Sequence, residues 1–339
     1  MIYYFSRRRF AATLAAFAAA TAATAAGPTD PVRVGGGSII TRLALRRGAF
    51  GGRGLSVSIS ETRGSAGIRN ALLSGDVDIL DYGVDNALAL AAEGAPIAIL
   101  FGSTSFTYEV IAQPDIQDIS SLRGRTLLVD DPDTQGALAL RKTLLSAGLH
   151  AGADYSLEAF GGTPSRIAAL LSDRRYAATV ASGPALRSAL AAGLRSLAVT
   201  AEHTGPLLLY AGYGLRPWAS AHPDRLERYI AAHIDTVRWM RDPEHRAEVI
   251  AAIQAELSIT AEEAALAYQE GIGNSGWEAD AALDLEKLTN VIDLRRSLSS
   301  GPAGHALRIE DLVDTSYLSR ATGIATTPSP AGAARRPHR

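Results

Sequence analysis

Cysteine is absent from the 339 residues of this chain. That absence excludes thiolate nucleophiles, disulfides, cysteine-ligated metal sites and a lipid-modified N-terminal cysteine, while leaving the compartment open. Long apolar runs are missing too. Past the first 26 residues nothing approaches the roughly 20 apolar residues of a membrane helix, so the 47% apolar fraction reflects alanine content. A net charge of −2, without a basic stripe bearing interleaved aromatics, argues against a nucleic-acid partner. The seven histidines (150, 203, 222, 233, 245, 305 and 338) form no H-E-x-x-H pair. Neither a G-x-S-x-G elbow nor a Walker loop occurs. Gly271-Ile-Gly-Asn-Ser-Gly276 matches G-x-G-x-x-G, but it follows a helical pattern instead of a strand and reads as a turn. No metal and no cofactor is expected, and an enzyme is the weaker reading.

What is present is a series of strand, loop and helix units with turn residues at each strand exit. Leu55-Ser-Val-Ser-Ile59 alternates as a half-buried strand does, and Ile68–Leu73 has helical spacing that stops at Ser74-Gly75. Val77–Leu80 reads as a strand, Asp81–Asp85 as a loop, Asn86–Glu93 as a helix stopped by Gly94, and Ile97–Leu100 as another strand. Val32–Val34 supplies the first strand, broken by Gly35-Gly-Gly-Ser38. Strands alternating with helices imply a largely parallel sheet whose strand exits form a binding edge. At this length two lobes are a better expectation than one core.

Downstream, Leu127–Val129, Leu157–Phe160 and Tyr176–Val180 read as strands. Thr163-Pro164 and Ser182-Gly-Pro184 read as capped helix starts. Leu207–Tyr210 reads as a strand, and 226–241, 244–257, 260–269 and 281–297 as amphipathic helices. No fixed-period repeat is found.

Arg47-Gly-Ala-Phe50, Gly54-Leu-Ser-Val57, Gly64-Ser65, Ala71-Leu-Leu-Ser-Gly-Asp-Val-Asp-Ile79 and Glu93-Gly-Ala-Pro-Ile97 occur in that order. Ser121-Leu-Arg-Gly-Arg-Thr-Leu-Leu-Val129 follows, then a helical stretch 226–260 with Trp239 and Asp242-Pro-Glu244. The series resembles periplasmic solute-binding proteins of ABC importers of the nitrate/sulfonate/taurine type, the NMT1/THI5-like family, over residues 32–320. The resemblance implies an α/β, two-lobe periplasmic-binding-protein fold of type II. Each lobe would be a mixed, mostly parallel sheet flanked by helices. Lobe 1 would comprise 32–105 plus 206–325, with C-terminal helices on it, and lobe 2 would comprise 106–205. It implies a monomer that captures a small organic solute and delivers it to a membrane permease. Two alternatives stay open: an enzyme on the same fold, chorismate-dehydratase-like or related to pyrimidine synthesis, and a receptor feeding a sensor or a non-ABC transporter.

Ser6-Arg-Arg-Arg-Phe10 precedes a weakly apolar stretch ending in small residues, which matches a twin-arginine export signal over 1–26, cleaved near Ala25 or Ala26. Without Arg7, Arg8 and Arg9 the balance is 30 basic to 35 acidic residues, a net −5. Residues 326–339, rich in Pro and Ala, read as a disordered tail.

Loops at strand exits place helix N-termini, with unpaired N–H groups and positive dipole ends, toward the cleft between lobes. By position the resemblance assigns ligand contact to Gly37, Ser38, Arg63, Gly64, Ser65, Tyr82, Gly83, Asp85, Tyr108, Asp133, Thr134, Gly162, Thr163 and Ser182. Plain helix capping explains the same Ser, Thr, Gly and Asp residues, so both readings stand. Arg63 suits a sulfonate, phosphate or carboxylate, and a solvated loop arginine equally. Tyr82, Phe106, Tyr108 and Tyr213 are candidate walls. Asp81, Asp85, Asp130, Asp131 and Asp133 lie in or near the same loops and would suit an amino group, so the charge of the ligand stays open.

Overall fold

A computed structural model describes residues 29–60, 62, 64–273, 276–298 and 307–325. The expected signal peptide, the expected tail, Glu61 and Arg63 lie outside the described residues. The chain enters with β1 (Asp30–Gly35), α1 (Ile39–Arg46), β2 (Leu55–Ser60), α2 (Ser65–Leu73), β3 (Ile79–Gly83), α3 (Val84–Ala92) and β4 (Ile97–Thr104). β1 pairs in parallel with β2, Val32 facing Val57, and with β3 on its other side. It then crosses to a second sheet. This holds β5 (Glu109–Ala112), β6 (Thr126–Val129), α4 (Gln135–Ser146), β7 (Ser156–Ala159), α5 (Thr163–Ser172), β8 (Tyr176–Ala181), α6 (Gly183–Ala191) and β9 (Arg195–Val199). A short α7 (Ala201–Thr204) leads back to β10 (Tyr210–Leu215), which runs antiparallel between β3 and β4.

The two sheets share one plan. Their strand orders are β2-β1-β3-β10-β4 and β7-β6-β8-β5-β9. In each, three parallel strands are followed by an antiparallel strand next to the crossing and then by an edge strand. Gly212 on β10 fits only because it lacks a side chain, since a Cβ there would meet the Phe101 ring at 2.0 Å. The fold is thus a two-lobe α/β architecture with mixed sheets, as the family resemblance implies.

The remaining chain is helical: α8 (Arg216–Ala221), α9 (Pro223–Arg241), α10 (Arg246–Leu257), α11 (Ala261–Ile272), α12 (Leu285–Leu298), α13 (Ile309–Leu312) and α14 (Ser316–Ala325). Tyr229, Ile230 and Ile234 of α9 join Phe50, Leu100 and Phe101 in the first lobe's core. α11 starts with a capping box between Thr260 and Glu263. α4 straddles the lobes: its Leu138 and Ala139 enter the first core while Ala137, Leu140 and Leu144 enter the second. No described helix is long and apolar enough to cross a membrane.

Several boundaries differ from the sequence reading. β3 starts at Ile79 instead of Val77, and no loop separates it from α3. Asp78 is drawn aside because its carboxylate accepts from the Arg33 backbone N–H at 2.8 Å and from Arg33 Nε at 3.1 Å. The second lobe's first strand in the chain is β5, ahead of 127–129. The returning strand begins at Tyr210 and not at Leu207. Residues 207–209 form a buried connector, with Leu208 fully enclosed. Gly162, not Thr163, precedes α5. α12 starts at Leu285, because Asp280 and Ala281 adopt positive φ angles of 52° and 53° that break a helix.

Candidate functional site

A cleft of about 670 Å³ lies between the lobes. Of the residues singled out from sequence, Gly37, Ser38, Ser65, Tyr82, Gly83, Asp85, Tyr108, Thr134, Gly162, Thr163 and Ser182 line it. Gly64 caps α2 next to it without lining it. Asp133 lies outside it: its carbonyl accepts from Arg295 Nη1 at 3.1 Å and its carboxylate sits 3.8 Å from Arg141. Phe106 lines the cleft, whereas Tyr213 is buried in the first lobe and donates to the Gly83 carbonyl at 3.1 Å.

The six helices that follow the parallel strands start at this cleft or beside it, and their first N–H groups have different fates. Ser38 closes α1 by accepting from the Thr41 N–H at 3.3 Å, while its own hydroxyl donates to Asp81. Ser38 is therefore an N-cap with no proton left for a ligand, as the capping reading holds. The start of α3 is closed by the Val84 N–H donating to the Leu209 carbonyl at 3.0 Å. α4 is closed from the other lobe: Asp85 Oδ2 accepts the Gln135 N–H at 3.0 Å, and the Gln135 side chain reaches the Leu208 carbonyl at 3.0 Å. No side chain caps α2, α5 or α6. The open ends of α5 and α6 bring Gly162, Thr163, Ser182, Gly183 and Ala185 to the cleft.

Three phenols sit there as well. The Tyr82 and Tyr210 rings stack at 5.8 Å, and Tyr108 lies on the crossing between lobes. Their hydroxyls have no protein partner among the described residues. Burial pushes the Tyr108 phenol well above the ordinary tyrosine range, with nearby Asp85 adding to it, and it raises Tyr82 and Tyr210 likewise. All three therefore remain O–H donors near neutrality.

Formal charges in the cleft are held in place by neighbours. Burial pushes the Asp85 carboxyl up, with the Gln135 N–H opposing it. Arg166 is buried to 5% exposure, and its Nε donates to Thr179 Oγ1 at 2.9 Å, its Nη1 to the Gly161 carbonyl at 2.6 Å and its Nη2 to Thr163 Oγ1 at 2.9 Å. Asp130 lies 4.0 Å from it and accepts from Thr134 Oγ1 at 2.6 Å. Arg42 donates to the Gly37 carbonyl at 3.2 Å and pairs with Glu256 at 3.5 Å. Outside the lining, Arg187 of α6 forms an ion pair with Glu270 of α11, joining the two lobes. Beneath the floor, Asp81 accepts from Ser38 and Thr41, which contacts Tyr229, and burial depresses the nearby His233.

Sequence reasoning missed Arg42, Asn86, Gln135, Arg166 and the apolar wall from Ile253, Leu257, Ile259, Ala267 and Trp277. Arg166 carries a faint signal, an arginine one turn past a Gly-Gly-Thr-Pro start. The apolar wall carries none, because it comes from helices far downstream of the strand exits.

A family model described as "ABC transporter, phosphonate, periplasmic substrate-binding protein" matches residues 52–230. The chain belongs to this family of periplasmic substrate-binding proteins. The match covers β3, α3, the crossing and the whole second lobe, which hold much of the cleft. The resemblance read from sequence is to its nitrate/sulfonate relatives, and it stands. No curated protein sequence matches the chain. Solved structures of similar fold include a protein from Bordetella bronchiseptica RB50, with 17% identity, a TM-score of 0.74, and 88% of this chain and 98% of that one covered. The periplasmic nitrate-binding protein NrtA from Synechocystis PCC 6803 has 12% identity, a TM-score of 0.70, and coverage of 89% and 90%. The periplasmic aliphatic sulphonate-binding protein SsuA from Escherichia coli has 17% identity, a TM-score of 0.63, and coverage of 79% and 91%. At these identities the likeness speaks for the fold.

Proposed function

We propose that this substrate-binding protein is a non-enzymatic, monomeric receptor for a small organic anion of the phosphonate or sulfonate class, which it hands to an ABC permease. The supporting observation is the pair of open helix starts, α5 and α6, facing three phenol O–H donors across the cleft. Uncapped N-termini favour anions through free N–H groups and the helix dipole. The two carboxylates weigh less than their number suggests, because Asp85 already serves the α4 terminus and Asp130 sits beside Arg166.

Calorimetry with ethylphosphonate, ethanesulfonate and, as a cationic control, ethylamine tests this reading. A micromolar anion corresponds to about −8 kcal/mol, and at a hundredfold excess over Kd it should stabilise the fold by about 2.7 kcal/mol. Binding of ethylamine with silence from both anions would sink the anion reading. Export by the twin-arginine route, with cleavage near Ala25 or Ala26, belongs to the same proposal. Arg7→Lys with Arg8→Lys should hold the precursor in the cytoplasm, and normal periplasmic accumulation of that variant counts against the route.

A further inference from the structure

His233 of α9 is the one fully buried histidine among the described residues, and nothing in the cleft makes use of it. Its ring lies 4.8 Å from the Phe101 ring, and neither ring nitrogen has a hydrogen-bond partner among the described residues. Asp81, 1% exposed, is the charge that bears on it. The Asp81 carboxylate is half used. Its Oδ2 accepts from Ser38 and from Thr41 Oγ1, the latter at 2.7 Å, while Oδ1 has no partner. Thr41 Oγ1 lies 3.0 Å from the hydroxyl of Tyr229, one turn before His233 on α9. A buried polar atom without a partner is costly, and here both an imidazole and a carboxylate oxygen are left so under the same floor.

Burial holds the His233 imidazole below the ordinary 6.5, and the Asp81 charge opposes this. Tyr229 stays a neutral phenol, since burial raises it. The other charged side chains on the elements around the ring have their own partners: Asp235 pairs with Arg53, Arg238 with Asp280, Arg42 and Arg46 with Glu256, and Arg320 with Glu227. A ring so depressed takes its proton more readily wherever water reaches it. Acid therefore favours any conformation that hydrates it, and the closed form loses stability as pH falls below 6.5. The polar route to the ring runs through the start of α1. Ile230, Ile234 and Val237 on the neighbouring turns of α9 are sealed in apolar core, whereas Asp81 leads to Ser38, which lines the cleft. α1 has eight residues, no acidic side chain in its first turn, and follows Gly35-Gly36-Gly37, of which the last two adopt φ of 76° and 67°. The hydroxyls of Ser38 and Thr41 tie that start to Asp81.

We propose that His233 makes the floor of the first lobe acid-sensitive: a proton taken up by its ring favours a conformation in which the start of α1 lifts off Asp81 and admits water to the ring. Gly37 and Ser38 belong to that start, so acid reshapes the first lobe's side of the cleft while the second lobe keeps its form. This holds whichever solute the cleft takes.

Hydrogen exchange read by mass spectrometry tests this on the mature protein without added solute, at pH 7.5 and 5.5, with rates scaled to the intrinsic rate. Segment 36–46, holding α1, is compared with segment 134–146, holding the equivalent α4. One unit below 6.5, α1 should lose protection by up to about tenfold, and α4 should keep its own. His233→Phe can stack on Phe101 and cannot titrate, so its α1 should lose less than about twofold; His233→Gln repeats the test with a polar side chain. Asp81→Asn keeps an acceptor for Ser38 and Thr41 but sheds the charge that favours the imidazolium, so it should lose at least as much protection as the parent. Four results each overturn the proposal: no acid loss in the parent, an equal loss in α4, a loss that persists in the His233 variants, or a loss that vanishes in Asp81→Asn.

Discussion

The two lobes repeat one another helix by helix, α1 with α4, α2 with α5 and α3 with α6, yet they treat equivalent helix starts differently. In the first pair both starts are closed, α1 by its own Ser38 and α4 by Asp85 from the opposite lobe. In the second pair both begin after an uncapped glycine, Gly64 and Gly162. The third pair diverges: α3 donates to the Leu209 carbonyl, while no side chain caps α6. Two of the three uncapped helix starts therefore lie on the second lobe, while the first lobe contributes α2, the Tyr82 and Tyr210 O–H donors and apolar surface. Two copies of one sheet plan can thus hold complementary halves of a site.

The largest effect should come from removing the side chain that shapes the donor-rich half. Arg166→Ala strips the buried bonds to Gly161, Thr163 and Thr179. Chemical denaturation should show a loss of about 2–4 kcal/mol, with anion affinity falling too. A variant as stable as the parent would show that the α5 start is set by its backbone alone. A smaller effect separates charge from hydrogen bonding where the first lobe closes α4. Asp85→Ala should cost about 1–2 kcal/mol, as loss of a helix cap does. Asp85→Asn keeps an acceptor and sheds the buried charge. Since burial raises the folded carboxyl above its ordinary 3.8, the folded protein takes up this proton first as pH falls. The charge therefore lowers stability as pH rises through that window. The Asn variant should match or exceed the parent at pH 7, and denaturation midpoints for both variants check this. Equal losses in the two would mean that the carboxylate charge itself holds α4.

Much of the fold was readable because local signals agree with it. Leu55–Ile59 alternates and is a strand, and glycines after Ser74 and Glu93 sit where α2 and α3 have ended. The failures have local causes. Residues 207–209 carry an apolar run that serves as a buried connector, and the strand begins only where small residues pass Phe101. Most strand-exit residues reach the cleft, because position in an α/β sheet largely decides that. Arg166, Gln135 and the Ile253 to Trp277 wall were not readable, since their place depends on how lobes and late helices meet. The twofold plan escaped notice too, because the lobes share backbone arrangement without a sequence period.

The Arg187–Glu270 pair bears on how long the lobes stay together. These residues sit on different lobes, the Arg187 side chain 16% exposed and the Glu270 side chain 39%. Any parting of the lobes must break this contact and rehydrate the guanidinium. Ionic strength weakens attraction between such charges once water reaches them. How long the solute stays enclosed therefore becomes a quantity that the salt of the surrounding compartment can shift, and apparent affinity shifts with it because the pair favours the closed lobes.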